Sequence, residues 1–402
     1  MRDVLPQLTA WWRAGHTVAM GTVVGTWDSA PRAAGATMLV GPDGSAVGSV
    51  SGGCVESDVY ALGEQVLQRG TPVLRRYGIS DAEAASVGLT CGGTLDVFVE
   101  PVSPATFSQL DAVAEDVAAG RPVAVATVVE HPDPARLGRR LVIRPEGGSG
   151  VDGTGPRVEG SLGSERLDAA VTDDARGLLA VGVSELLGYG PDGQRRGEGL
   201  RVFVASLAPP PRMLVFGAID FAAAVARLGT FLGYRVTVCD ARPVFATTAR
   251  FPDVAEVVVD WPHRYLAAEA SAGRTDGRTV VCVLTHDPKF DVPLLEVALR
   301  LPELAYVGAM GSRRTSEERH RRLREAGLTE QQLRRLSSPI GLDLGARTPE
   351  ETAVSIVAEI LSLRWGGQGA RLVDLDGRIH HEPLSSPDPA PPDHPTAERI
   401  RP

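Results

Sequence analysis

The sequence predicts an α/β protein in two parts: an N-terminal α/β domain built of two related units, then a domain with a doubly wound parallel sheet. Three observations carry this. First, His16-Thr17-Val18-Ala19-Met20-Gly21-Thr22-Val23-Val24 is matched by Arg121-Pro122-Val123-Ala124-Val125-Ala126-Thr127-Val128-Val129, 105 residues on. Second, Pro209-Pro210-Pro211 stiffens the chain and cannot donate to a strand ladder, which marks a joint between domains. Third, beyond the joint, short apolar runs alternate with helical spacings, the pattern of a parallel sheet covered on both faces.

In the first unit, Val55, Val59, Leu62, Val66 and Leu67 have helical spacing that continues to Gly70 and Pro72, so a helix opens at Cys54. Leu95-Asp96-Val97-Phe98-Val99 alternates as a strand. The second unit echoes these elements. Ala36-Thr37-Met38-Leu39-Val40 has a counterpart in Arg139-Arg140-Leu141-Val142-Ile143, and Gly48-Ser49 has one in Gly160-Ser161. The helix returns at Leu167, Val171, Ala175, Leu178 and Leu179, and the strand at Leu200-Arg201-Val202-Phe203-Val204. Each copy reads strand, strand, Gly-Ser turn, helix, strand. The copies span about 10–103 and 118–207 of a domain covering 1–208, with 209–211 as linker. In the second domain, 212–366, strands read at 213–216, 235–239, 257–259, 280–284 and 305–307. Thr348-Pro349-Glu350-Glu351 supplies an N-cap, a proline at the first helical position and a capping-box glutamate for a last helix reaching about Trp365. Residues 367–402 are Pro/Asp-rich and are expected to be a disordered tail.

A chain of 402 residues, 43% hydrophobic and 23% charged, suits a globular protein of two or three domains. No apolar run approaches the roughly 18 residues of a membrane span. The start of the chain lacks a signal-peptide stretch, and four cysteines lack the spacing of a disulfide framework, so a cytoplasmic protein with reduced thiols is expected. A net charge of -9 argues against nucleic acid as the main partner. Lys289 is the only lysine, which excludes Schiff-base catalysis elsewhere.

Two glycine-cysteine turns carry the strongest chemical signal. Ser51-Gly52-Gly53-Cys54 and Cys91-Gly92-Gly93 each set a thiol on backbone stripped of neighbouring side chains, although small residues in tight turns would look the same. A helix start at Cys54 offers unpaired amides and the positive end of the dipole, which favour a thiolate or an anionic ligand. The second copy has Ser164-Glu165-Arg166 there, so the first copy reads as the site and the second as scaffold. Cys239 and Cys282 lie inside strands and read as inert core.

The second domain opens like a dinucleotide-binding, Rossmann-like unit, with Gly217 in the first strand-to-helix turn and Asp240 ending the second strand. Ile219, however, stands where a second glycine admits pyrophosphate, and Asp220 puts a carboxylate where phosphate charge should rest. NAD(P) is therefore not the expected cofactor, and Asp240 reads equally as a turn cap with Arg242 and Pro243. Thr285-His286-Asp287 and Gly311-Ser312-Arg313-Arg314 follow the fourth and fifth strands, at the edge where open sheets bind ligands. His286, Arg313 and Arg314 are candidates there for anion contact or proton transfer, against a structural histidine and a solvated basic helix start.

These segments, in this order, resemble the XdhC/CoxI accessory proteins of molybdenum hydroxylases from about residue 10 to 366. The resemblance rests on Ser29-Ala30-Pro31-Arg32 with Gly35-Ala36-Thr37-Met38, on Gly48-Ser49-Val50-Ser51-Gly52-Gly53-Cys54-Val55-Glu56 and on Cys91-Gly92-Gly93. It continues through Thr285-His286-Asp287, Gly311-Ser312-Arg313-Arg314, Pro339-Ile340-Gly341-Leu342-Asp343 and Thr348-Pro349-Glu350-Glu351. The family usually carries Gly-Ala-Gly-His where this chain has Gly217-Ala218-Ile219-Asp220. The resemblance implies a cytoplasmic molybdenum cofactor chaperone, a maturation factor rather than an enzyme with turnover of its own. Such a protein guards the cofactor during sulfuration by a cysteine desulfurase and assists its insertion into a xanthine dehydrogenase or CO dehydrogenase-type hydroxylase.

Molybdopterin, with or without a second nucleotide, has a phosphate and a soft dithiolene-bound metal, so its site wants amide donors, an arginine and a thiolate. The candidates are Arg32, Ser51, Gly52, Gly53, Cys54 and Glu56, then Cys91, Gly92 and Gly93, and from the second domain His286, Arg313 and Arg314. Cys54 is the candidate ligand to molybdenum; the residues leave open whether Cys54 and Cys91 bind metal, handle sulfur or line the pocket. Arg32 reads as a phosphate or pterin clamp or a surface ion pair, and Glu56 as a partner of pterin nitrogens or of its own helix start. The Gly-Gly-Cys turn and the sheet edge are expected to face one another across the proline joint or between subunits of a homodimer. Two rival readings remain. An NAD(P)-dependent oxidoreductase is opposed by Ile219 and Asp220, and a thiol-based redox or metal-binding protein by the lack of a zinc-spaced ligand cluster.

Overall fold

The computed structural model describes residues 1–27, 32–78, 93–145, 155–285 and 287–376. The chain opens with α1 (Leu5–Arg13), followed by β1 (Val18–Trp27), β2 (Thr37–Val40), β3 (Ala46–Gly48), α2 (Glu56–Arg69), β4 (Val73–Tyr77) and β5 (Thr94–Val102). After α3 (Leu110–Ala118) the pattern returns as β6 (Ala124–Glu130), β7 (Arg140–Arg144), β8 (Arg157–Gly160), α4 (Glu165–Val181), β9 (Glu185–Tyr189) and β10 (Leu200–Ser206). The two sheets have the same strand order, β3-β2-β1-β5-β4 and β8-β7-β6-β10-β9, and every pairing is antiparallel.

The likeness reaches single residues. Val24 is the extra residue of a bulge in β1 and Val129 of one in β6, and these two positions are matched in the sequence repeat. Gly48 and Gly160 both have positive φ, +87° and +95°, and a Cβ on either would lie 2.3 Å from a carbonyl oxygen, of Thr37 and Arg140 respectively. Only glycine fits either turn. Spacing alone did not show β3, β4, β8 and β9. All four lie at sheet edges and hold few buried residues, so they lack a clean apolar alternation.

The sheets pack face to face, with Met20, Val24 and Phe98 from one against Val125, Val129 and Phe203 from the other. On one outer face Val59, Leu62 and Val66 of α2 cover Val97 and Val99; on the other Leu167, Val171 and Ala175 of α4 cover Val128, Leu141 and Val204. The result is four layers, helix, sheet, sheet, helix. It explains why β1 and β6 are apolar on both faces.

The proline segment is pinned from both sides. Arg2 donates to the carbonyl of Ala208 at 2.5 Å, and Arg278 to that of Pro209 at 2.8 Å. Beyond it run β11 (Arg212–Phe216), α5 (Asp220–Phe231), β12 (Arg235–Asp240), β13 (Glu256–Val259), α6 (Pro262–Ser271), β14 (Val280–Val283), α7 (Pro288–Arg300), β15 (Tyr306–Ala309), α8 (Arg313–Glu325), α9 (Glu330–Leu333), β16 (Leu336–Ser337) and α10 (Pro349–Trp365). The sheet is wholly parallel, in the order β13-β12-β11-β14-β15-β16. It is doubly wound. Val225, Ile356 and Ile360, from α5 and α10, pack one face, and Leu266, Leu294 and Leu323, from α6, α7 and α8, the other.

The last helix has the expected capping box at Thr348 and Glu351. Cys239 and Cys282 are buried core residues, and burial pushes both thiols up to about 12. Of the expected tail, the structure describes 367–376, which hold a 3-10 turn at Leu372–Asp374; residues 377–402 lie outside the described residues. Among the described residues no helix is long and apolar enough to cross a membrane.

Candidate functional site

The Ser51-Gly52-Gly53-Cys54 turn leads into α2. Val55 is the N-cap and Glu56 the first helical residue, so Cys54 sits just ahead of the helix rather than in it. Gly52 and Gly53 have φ of +83° and +126°, a conformation that L side chains rarely adopt. Among the described residues nothing lies within 4 Å of where their Cβ atoms would be. Glycine is required here for backbone shape. Cys54 is half-buried and packs against the core under α2.

Glu56 organises this turn. Its Oε1 accepts from Ser49 Oγ at 2.6 Å and from the amides of Val50 at 3.2 Å, Ser51 at 2.8 Å and Gly52 at 2.9 Å. Its Oε2 accepts from Ser51 Oγ at 2.5 Å and the Gly53 amide at 2.8 Å. Ser51 Oγ in turn accepts from the amides of Cys54 and Val55, both at 3.0 Å. Burial opposes the charge on Glu56, but the bonds from Ser49, Ser51 and the backbone outweigh it and hold the carboxyl well below the usual range. Of the amides expected from the sequence to await an anion at Cys54, those of Cys54 and Val55 are engaged by Ser51, and the four ahead of them by the protein's own carboxylate.

Arg32 is exposed and reaches the same turn, with Nη2 3.4 Å from the carbonyl of Ser49. Gly93 is buried immediately before β5; Cys91 and Gly92 lie outside the described residues. Ser49 is the site residue that sequence reasoning missed. Its signal is the Gly-Ser pair repeated as Gly160-Ser161, which by spacing alone reads only as a turn.

The second unit provides an internal comparison. Counting from Gly160 as from Gly48, Asp168 takes the place of Glu56. It accepts one loop amide, that of Leu162 at 2.8 Å, while α4 begins with an ordinary cap, Ser164 accepting from Leu167 N.

At the edge of the parallel sheet, Gly217 has φ +107°, and a Cβ there would lie 2.9 Å from Thr285 Cγ2 and 3.0 Å from its amide nitrogen. This is the switch point, where strand order reverses between β11 and β14. The Ala218 amide donates to Asp240 Oδ2 at 2.8 Å. Arg242 grips the same buried carboxylate through Nε at 2.9 Å and Nη2 at 2.8 Å, with its amide at 2.9 Å. Burial raises the Asp240 pKa, but the bonds from Arg242 and Ala218 prevail and keep it below the ordinary value. Asp240 therefore caps the turn with Arg242. Ile219 is partly buried against the core, and Asp220 is exposed in an ion pair with Arg250 at 3.1 Å.

Arg313 and Arg314 are exposed in the first turn of α8, behind the N-cap Ser312, which accepts from Thr315 N at 3.1 Å. Arg313 borders an open cavity of about 400 Å³ together with Ser316, His320, Arg324 and Ser338. Thr285 Oγ1 donates to Asp291, which is held by Arg319 at 2.9 Å; His286 lies outside the described residues. The structure thus gathers Arg32, Ser51, Gly52, Gly53, Cys54 and Glu56 into one cluster, while Arg313 and Arg314 stand on the other domain.

Comparison with known proteins matches both parts. The XdhC and CoxI family model covers residues 11–78 and 116–190, and the XdhC Rossmann domain model residues 213–360. The chain is 27% identical over 351 residues to a probable xanthine dehydrogenase subunit of Bacillus subtilis, spanning 86% of this chain and 92% of that protein. It is 25% identical over 352 residues to the molybdenum cofactor insertion chaperone PaoD of Escherichia coli, spanning 87% and 85%. A crystal structure described as a xanthine dehydrogenase from Bacillus halodurans aligns with a TM-score of 0.65 at 26% identity, over 90% of this chain and 95% of that one. Two repeated units, the first with a Cys-bearing turn, joined to a parallel-sheet domain and matched in that order by both models, make this chain a member of the XdhC and CoxI family.

Proposed function

We propose that this protein binds the molybdenum cofactor, shelters it while a cysteine desulfurase supplies its sulfido sulfur, and passes it to a xanthine dehydrogenase-type hydroxylase. It acts as a carrier, without turnover of its own. One observation carries the reading: a half-buried cysteine, Cys54, in a glycine turn where no described residue beyond the chain neighbours lies within 4 Å of the Gly52 and Gly53 Cβ positions, with exposed Arg32 bonded to the same turn. A relative named as a molybdenum cofactor insertion chaperone supports it.

The residues fit the cargo. Dithiolene-bound molybdenum is soft and suits a thiolate ligand, the role assigned to Cys54. The cofactor phosphate suits a guanidinium, the role assigned to Arg32. The amides of residues 50–53 are committed to Glu56, so phosphate recognition at this turn is assigned to arginine rather than to those amides. In the second domain, Asp240 is closed off by Arg242 and Ala218, and Ile219 stands where a second glycine would admit pyrophosphate, which argues against NAD(P). Arg313, Arg314 and His286 remain proposed contacts to the cofactor from that domain.

The test is the cargo itself. Protein isolated from cells that make the cofactor is expected to release a fluorescent pterin on oxidation and to contain molybdenum, with both lost in Cys54→Ser. Wild-type protein without pterin, or a Cys54→Ser variant that retains all of it, would overturn the reading.

A further inference from the structure

We infer that Glu56 is a positioning residue for Cys54, and not a ligand of the cofactor: its carboxylate is the internal anion around which the Cys54 turn is wound. The inference rests on the proposed role of Cys54. Three observations lead to it.

The first is capacity. A carboxylate offers about four lone-pair directions, and Glu56 already receives six donors, two hydroxyls and four amides. Nothing is left for a pterin N–H. The second is the comparison within the molecule. Helix α4 starts in the same topological place with one serine cap and one bond to Asp168, so the network at Glu56 exceeds what starting a helix requires. Two of the extra bonds fall on the Gly52-Gly53 backbone, where no described side chain packs against the Cβ positions to hold the left-handed conformation. The third is connectivity. Ser51 Oγ donates to Glu56 and accepts from Cys54 N, so the carboxylate fixes the cysteine backbone through one hydroxyl.

This arrangement makes an unusual amide signature. Gly52 and Gly53 are exposed, yet their amides are bonded to the Glu56 carboxylate, Gly52 to Oε1 and Gly53 to Oε2, and should exchange slowly with solvent. The experiment uses the full chain without cargo, in wild type, Glu56→Gln and, as a control in the second unit, Asp168→Asn. Hydrogen exchange is followed on peptides covering 49–54, and iodoacetamide labelling of Cys54 by peptide mass spectrometry. Glu56→Gln keeps the shape but sets an NH2 against donors. It is expected to speed exchange of amides 50–53 at least tenfold and to change the Cys54 labelling rate several-fold, with the later turns of α2 still protected. Asp168→Asn is expected to leave both readouts at the Cys54 turn unchanged.

Wild-type exchange at 52–53 as fast as in an unstructured peptide, or a Glu56→Gln variant with unaltered exchange and labelling, would overturn the inference. If Glu56→Gln fails to fold, Ser51→Ala cuts the relay alone, and unchanged Cys54 labelling there would equally overturn it. Cofactor content separates the two readings. A wild type that never carries pterin defeats the proposed function while leaving the exchange result standing. A Glu56→Gln variant that retains full cargo defeats the positioning role alone.

Discussion

Two glycine-to-alanine substitutions, only four residues apart, should behave very differently. At Gly52 the added methyl meets no described atom within 4 Å, so the only penalty is backbone strain at φ +83°. That is worth about 1–2 kcal/mol. At Gly48 the same strain, at φ +87°, is joined by a Cβ 2.3 Å from the Thr37 carbonyl oxygen and 2.6 Å from Val4 Cγ1. Overpacking of this kind adds about 1–3 kcal/mol, and the oxygen is part of a strand that cannot yield easily. Urea unfolding is expected to show Gly48→Ala losing about twice as much stability as Gly52→Ala. Cys54 labelling is expected to show the reverse order, because only Gly52 lies in the turn held by Glu56. A Gly52→Ala protein as unstable as Gly48→Ala would mean that Gly52 faces packed atoms. A Gly52→Ala protein with unchanged Cys54 labelling and cargo would refute the claim that backbone shape sets the site.

NAD and NADP are expected to bind more weakly than about 1 mM, a limit of roughly 4 kcal/mol, since the Ala218 amide and Asp240 are already engaged; micromolar affinity by calorimetry would contradict this. Asp240→Asn removes the charge that Arg242 grips. It should cost about 2 kcal/mol, the lower part of the range for bonds to charged groups because Arg242 is half exposed. The sign of its pH dependence follows from a folded pKa below the unfolded one. The contribution of Asp240 is full above about pH 4 and fades as acid protonates the folded state, so wild type and Asp240→Asn should converge in stability at lower pH. Parallel curves down to acid unfolding would show that Asp240 contributes no such linkage. Breaking the buried Glu100–Arg140 pair between the two sheets with Glu100→Gln should cost about 3–5 kcal/mol in urea unfolding; a loss below about 1 kcal/mol would mean that the pair is not sealed between them.

Much of this fold was legible because burial imposes a pattern. Strands β1, β6, β11, β12 and β14 are covered on both faces and read as apolar runs, and the match of residues 16–24 with 121–129 aligns two bulges at the same position. The edge strands of the first domain escaped, as with β4, where Arg75 and Arg76 break the apolar pattern, whereas edge strand β13 was read from its three valines. Two-residue β16 is below the length at which alternation can appear. In the site, the glycines announced the Cys54 turn and Glu56 read as a partner of pterin nitrogens or of its own helix start, but nothing in the spacing said that it would gather six donors from residues 49–53. That depends on two left-handed residues bringing four amides to one point, a property of φ angles rather than of residue order. The turn-cap reading of Asp240 with Arg242 was available because the two are close in sequence, and the structure shows that contact.

The central claim is that cargo held at the Cys54 turn reaches a client enzyme, and transfer measures it most directly. Protein loaded with sulfurated cofactor would be mixed with the cofactor-free form of a xanthine dehydrogenase-type hydroxylase, and molybdenum in the client followed together with its restored activity. The account predicts faster activation than an equal amount of released cofactor gives, and none of that advantage from Cys54→Ser. A client that gains activity no faster from the loaded protein than from released cofactor, or equally well from Cys54→Ser, would contradict it.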